Sequence, residues 1–159
     1  MKKSILLLTF LAFSFLSCSS DDSSNSVDNS LLIGKWDLVS KKQGNTNIPL
    51  TNCEQQNLNS SYEFFSNNTS IKKEGYSSGS SSCSFDLYNQ TYSVSGNVLT
   101  ANESDPPLYQ YKEKYYISSI TSTTLVLKMF YFMENYDGDV AEENIAESQQ
   151  ITYTYERVN

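Results

Sequence analysis

A chain of 159 residues has room for one domain with a sizeable core and not for two comfortable ones. Its formal charge is −7, and losing Lys2 and Lys3 with a cleaved leader takes it to −9. Nucleic acid is therefore not expected as a partner, since phosphates demand a patch of Lys and Arg. With no histidine in the chain, neither a Ser-His-Asp nor a Cys-His arrangement can be assembled, and the commonest metal ligand is missing.

The first segment is a processing signal. Met1-Lys2-Lys3 is a basic n-region, and Ile5 to Leu16 is an apolar stretch interrupted only by Thr9 and Ser14. It is too short to span a bilayer as a helix and has the layout of a secretory leader, so residues 1–17 are expected to be removed. Phe15-Leu16-Ser17-Cys18 resembles the lipobox of bacterial lipoproteins, with Phe15 where Leu is usual. In that family the signal peptidase cuts before the cysteine, whose thiol and new amino group carry acyl chains. The resemblance implies a membrane partner, reached through lipid on Cys18; an acidic chain is otherwise repelled by anionic headgroups. An ordinary secreted protein with an unmodified Cys18 is the plainer alternative.

Three cysteines make an odd count for a secreted chain. Lipidation of Cys18 accounts for one and leaves Cys53 and Cys83 to pair in an oxidising compartment, against the alternative of two free buried thiols. No CxxC motif accompanies them, so neither a metal nor a cofactor is expected. Residues 18–30, whose Ser19 to Ser30 portion carries one apolar residue, read as a disordered tether. Asp21-Asp22 resembles the acidic export signals of Gram-negative surface lipoproteins. That implies an outer-membrane lipoprotein of a Gram-negative-type bacterium with its domain facing outward, while a simple soluble spacer leaves the orientation open.

From residue 31 to 159 the pattern is β throughout, with 12 Tyr, 5 Phe and many Thr suited to pleated surfaces. Eight strands are expected. The first, Ile33–Lys42, places Trp36, Leu38 and Ser40 on one face and Lys35, Asp37, Val39 and Lys41 on the other. The others are Ser61–Ser66, Thr69–Tyr76, Ser84–Ser95 (with a bend or break near Asn89), Val98–Asn102, Lys112–Ile120, Thr124–Met133 and Gln149–Val158. Asn67-Asn68 and Gly96-Asn97 supply turns. The acidic insert Glu134 to Glu147 could form one or two amphipathic helical turns through Val140, Ala141, Ile145 and Ala146. Strands joined in order without βαβ spacing predict an all-β, eight-stranded antiparallel up-and-down barrel, closed so that no edge is exposed.

Gly34-Lys35-Trp36 at the opening of such a meander, with Arg157 near its end, resembles the lipocalins. Short bacterial lipocalin-like domains on lipoproteins are similar in further respects. They share the Gly-Lys-Trp-x-Leu start, a cysteine after the first loop, an aromatic strand like Tyr62-Glu-Phe64, and a closing pattern like Tyr115-Tyr-Ile117 with Thr124-Leu-Val-Leu127. The resemblance implies that the Arg157 guanidinium packs across the Trp36 ring and closes the barrel, with Gly34 part of that closure. The Thr-Asp-Tyr motif of the better-known lipocalins and their helix after the last strand are absent.

Catalysis finds little footing. Asp37, Glu63, Glu74, Glu113 and the cluster from Glu134 to Glu147 are assigned to outward faces or loops, and Asp86 turns inward only if its strand runs unbroken. Asn135-Tyr-Asp137-Gly-Asp139 spaces its oxygens like a calcium loop, but Val140 and Ala146 stand where a glycine and a bidentate glutamate belong. What remains is an inward surface of Leu38, Tyr62, Phe64, Tyr92, Val94, Leu99, Tyr115, Ile117, Leu127, Met129 and Tyr153. It is either the wall of a site for a small apolar ligand or simply the core. In the second case the barrel is filled, and the loops Gln43–Asn59, Tyr76–Ser82 and Glu134–Glu147 would carry a protein-interaction or inhibitor role.

Overall fold

The computed structural model describes residues 27–55, 60–77, 82–105 and 109–158; the leader and Cys18 lie outside them. In chain order the strands are β1 (Gly34–Gln43), β2 (Thr46–Ile48), β3 (Ser61–Phe64), β4 (Thr69–Ser77), β5 (Cys83–Ser95), β6 (Val98–Asp105), β7 (Tyr109–Ile120), β8 (Thr124–Tyr136), β9 (Asp139–Asn144) and β10 (Ile151–Arg157). A one-turn helix, α1 (Asn52–Gln55), lies between β2 and β3. Eight of these strands close on themselves in the order β1, β3, β4, β5, β6, β7, β8, β10, with β10 returning to pair β1. Every pairing is antiparallel. The eight-stranded barrel is the expected fold.

Local chemistry explains the turns. The Asn67 side-chain oxygen accepts from the Thr69 amide at 3.2 Å and its hydroxyl at 2.7 Å, while Asn68 takes φ of 62°, a region asparagine tolerates. The expected break near Asn89 does not occur. β5 runs unbroken because β4 pairs it from Thr69 opposite Thr91 to Ser77 opposite Cys83. β6 follows β5 only from Thr91 to Ser95, and beyond that point the Asn89 amide donates to the Glu103 carboxylate at 3.2 Å.

Two expectations are corrected at the ends of the domain. Residues 27–30, assigned to the tether, are folded. Val27 packs on the core, and Asp28 caps the 3-10 turn Asn29–Leu31 by accepting from the Ser30 amide at 3.0 Å. The lone apolar residue of that run finds a surface to cover. The acidic insert is a β-hairpin rather than helical turns. Asp137 (φ 50°) and Gly138 (φ 91°) form its tip, the conformation that suits the twist of a two-residue hairpin. Asn135, the first residue of the calcium-like run, accepts from the Gly138 amide at 3.2 Å, so these oxygens belong to a turn.

The core fills one end of the barrel. Trp36, Leu32, Tyr62, Phe64, Leu99, Tyr115, Leu125 and Leu127 are buried there, and Tyr62 stacks on Phe64 with ring centres 4.5 Å apart. β1 carries a bulge at Val39: Leu38 faces Tyr155, whereas Ser40 faces Thr154. An extra residue reverses the alternation beyond it, so Lys41, expected on the outer face, turns toward the barrel interior opposite Tyr153.

Candidate functional site

The closed end is assembled around Trp36 and Arg157, which are direct cross-strand partners. The guanidinium carbon lies 4.1 Å from the centre of the Trp36 ring. Its nitrogens donate to the carbonyls of Ser122 (2.7 Å), Ile33 (2.7 Å) and Leu31, while the indole N–H donates to the Leu32 carbonyl at 2.8 Å. One cation therefore ties three chain segments across the base. Gly34 belongs to the same contact. Its φ is +126°, and a Cβ added there would sit 2.6 Å from Arg157 Nη1, so the guanidinium occupies the space a side chain would take.

The opposite end is open. A cavity of about 350 Å³ lies there, lined on its apolar side by Leu38, Ile48, Ile151, Tyr153 and Tyr155. Its rim is held by α1. Thr51 and Glu54 form a reciprocal cap: the Glu54 amide donates to the Thr51 hydroxyl at 3.2 Å, and the Thr51 amide donates to the Glu54 carboxylate at 2.7 Å. That turn buries Cys53 for its disulfide with Cys83 at the start of β5, with Cα atoms 5.2 Å apart, and sets Glu54 against Lys41 at 2.5 Å. Burial pushes the Glu54 carboxyl up, but hydrogen bonds from Lys41 and Thr51 outweigh it and leave the group below its ordinary value. A broader hollow of about 900 Å³ lies outside the barrel, between the β1–β2 hairpin and the chain from Glu156 to Val158. It is an open groove beside the sheet.

The floor of the mouth is polar. Glu113 is fully buried and takes a hydrogen bond from Lys72 Nζ at 2.5 Å, one from the Tyr111 hydroxyl at 2.8 Å and a longer one from Gln90 at 3.4 Å. Gln90 in turn accepts from the Tyr62 hydroxyl at 2.7 Å. Lys72 also reaches Glu74, at 2.8 Å, on the solvent side. Burial pulls the Lys72 ammonium down, yet the Glu113 carboxylate pushes it further up, well above the usual lysine range. Burial, with Glu113 second, holds the Tyr62 and Tyr115 phenols well above theirs. Burial also raises Tyr155 and takes Tyr153 up to about 12.

Of the side chains expected on a ligand wall, Leu38 and Tyr153 line this cavity. Tyr62, Phe64, Tyr92, Leu99, Tyr115, Ile117 and Leu127 are packed in the buried core, and Val94 and Met129 pack against it half-buried. The rings of Phe64 and Tyr92 meet edge to face at 5.1 Å, and Tyr92 donates to the Phe65 carbonyl at 3.0 Å. These side chains fill the space a deep ligand would need. Asp86 shares the inward alternation of Gln90 and Tyr92 on the unbroken β5, but it is exposed, on the mouth. Glu113 is a correction: it was assigned outward and is buried inside. Its position was readable, because it lies two residues before Tyr115 and four before Ile117, both expected inward, and alternation puts all three on one face. Glu74 is likewise a correction, turned toward the mouth on the Lys72 face of β4.

The model of the lipocalin-like domain family matches residues 32–127, from the turn before β1 into β8. No curated protein and no solved structure matches the chain. The match covers more than half of the sequence and coincides with a closed eight-stranded barrel whose ends are joined through Trp36 and Arg157. The chain belongs to the lipocalin-like domain family.

Proposed function

We propose that this is a lipid-anchored, non-enzymatic binding protein of the bacterial outer membrane, holding a small apolar ligand at the mouth of its barrel. The supporting observation is the mouth cavity itself. Its volume, about 350 Å³, lies at the lower end of the range for small-molecule sites, and it combines an apolar wall with a few fixed polar groups. The deep interior is occupied by Tyr62, Phe64 and Tyr115, so the ligand is short and stops above them. The absence of histidine and the commitment of Cys53 and Cys83 to each other favour binding over catalysis.

The anchor rests on Phe15-Leu16-Ser17-Cys18, and surface exposure on Asp21-Asp22. Cys18→Ser releases the protein from membranes; retention in the membrane fraction would refute the anchor. Native mass spectrometry of protein extracted in mild detergent reveals a co-purifying small molecule. Bare protein that also fails to take up apolar dyes would remove the ligand role.

A second reading draws on a different feature. β9 pairs only β8 among the described residues, and their hairpin exposes Tyr136 and Val140, 67% and 60% accessible. A protein-interaction module would use this projecting hairpin. Under that reading, serine at both positions abolishes partner binding and leaves dye uptake intact.

A further inference from the structure

Resting on the ligand-binding reading, we infer that the mouth selects molecules whose apolar body ends in an organic cation, an ammonium group in particular. The charges around the cavity decide its sign. Lys41 and Glu54 neutralise each other at 2.5 Å. Lys73 also borders the cavity, but its ammonium lies 4.8 Å from the ring centre of the exposed Phe85, and alternation along β4 puts it on the face opposite Lys72. The remaining cation, Lys72, is bridged by two carboxylates, Glu113 at 2.5 Å and Glu74 at 2.8 Å, and a third carboxylate, Asp86, lines the same cavity without bridging to it. The inner mouth thus carries a net negative charge, in a mature chain that is itself acidic and would draw cations toward it.

The geometry repeats the message. Glu74 and Asp86 are direct cross-strand partners on β4 and β5, both lining the cavity. Like charges placed opposite each other on one sheet face repel, and a cation between them relieves the repulsion. An anionic head would have to displace Glu74 from Lys72 and then sit beside Asp86.

The rings of Tyr153 and Tyr155 belong to the residues that line the cavity, and a second row flanks the ion pair outside that lining. Tyr88 lies 6.0 Å from Tyr111, which is parallel to Tyr109 at 6.3 Å, so three stacked rings extend outward from the ion pair. The Lys72 ammonium lies 5.6 Å from the Tyr88 ring centre, so that ring face is already matched to a cation, the protein's own. Carboxylates backed by tyrosine faces are the chemistry that recognises an alkylammonium.

The test is a calorimetric titration of the purified protein with three probes of one chain length: octylammonium, octanol and octanoate. The expected order is octylammonium about tenfold tighter than octanol, from one ion pair and ring contacts combined, with octanoate weakest. Asp86→Asn and Glu74→Gln each weaken octylammonium about three- to tenfold and leave octanol unchanged. Asp86 is exposed and the Glu74 side chain is 46% accessible, and an unchanged thermal melt verifies that the variants fold. Octanol binding as tightly as octylammonium overturns the inference, and so does octanoate binding best, which would make Lys72 an anion anchor. Binding of none of the three removes the ligand site itself, and the cation preference with it.

Discussion

At the scale of single residues, Arg157 at the base and Lys72 in the interior show two ways in which a barrel holds a cation. Arg157 is satisfied by carbonyls and by the Trp36 face, so its charge needs no carboxylate. Trp36→Ala removes the ring and the floor beneath it, and should lower stability by about 3–5 kcal/mol in chemical denaturation. Gly34→Ala should cost about 1–3 kcal/mol, because the new methyl group needs a left-handed backbone and the space held by Arg157. Lys72 is held instead by buried Glu113. Lys72→Met strands that carboxylate and should cost about 3–5 kcal/mol, while Lys72→Met with Glu113→Leu should recover most of the loss. Strict additivity of the two substitutions would show that the pair is not coupled. The arginine contact was legible through the family resemblance. The lysine was not, since a charged residue inside a β domain is an exception that periodicity alone marks only when followed without prejudice, as Glu113 shows.

Among the elements, alternation and turn residues located all eight barrel strands, because each buries one face and most end near Gly, Asn or Pro, with Thr121-Ser122-Thr123 serving after β7. The two strands outside the barrel, β2 and β9, escaped: β2 is three residues long, and every residue of β9 is exposed, so neither carries a hydrophobic period. The Asp137-Gly138 pair was the available signal for the second. The bulge at Val39 left no mark in composition, and it alone decides that Lys41 lines the mouth. α1 and its disulfide form the structural clamp on that rim. Closing a loop of 30 residues restricts the unfolded chain, so reduction of Cys53–Cys83 should lower stability by roughly 3–4 kcal/mol in denaturant melts. An unchanged midpoint would mean that the rim is held without it.

For the whole molecule, the buried tyrosines impose a direction on pH dependence. The phenols of Tyr62, Tyr115, Tyr153 and Tyr155 titrate higher in the folded chain than in the unfolded one. The Lys72 ammonium does the same. Their contribution is therefore fully present below the unfolded values, about 10 for tyrosine and 10.4 for lysine, and is lost as pH rises through the folded ones. Stability should hold through neutral pH and fall steeply above about pH 10, with phenolate absorbance appearing together with unfolding. Phenolate absorbance that develops in full while the barrel stays folded would place these rings in water.

The same division, a packed base under an open polar mouth, is the core of the functional account, and ligand-dependent NMR tests it most directly. Titration with an uncharged apolar dye should give saturable shifts at Leu38, Ile48, Ile151, Tyr153 and Tyr155, with the Trp36 indole unmoved. Shifts absent from these residues, or centred on the outer groove at Val39 and Val158, would contradict it.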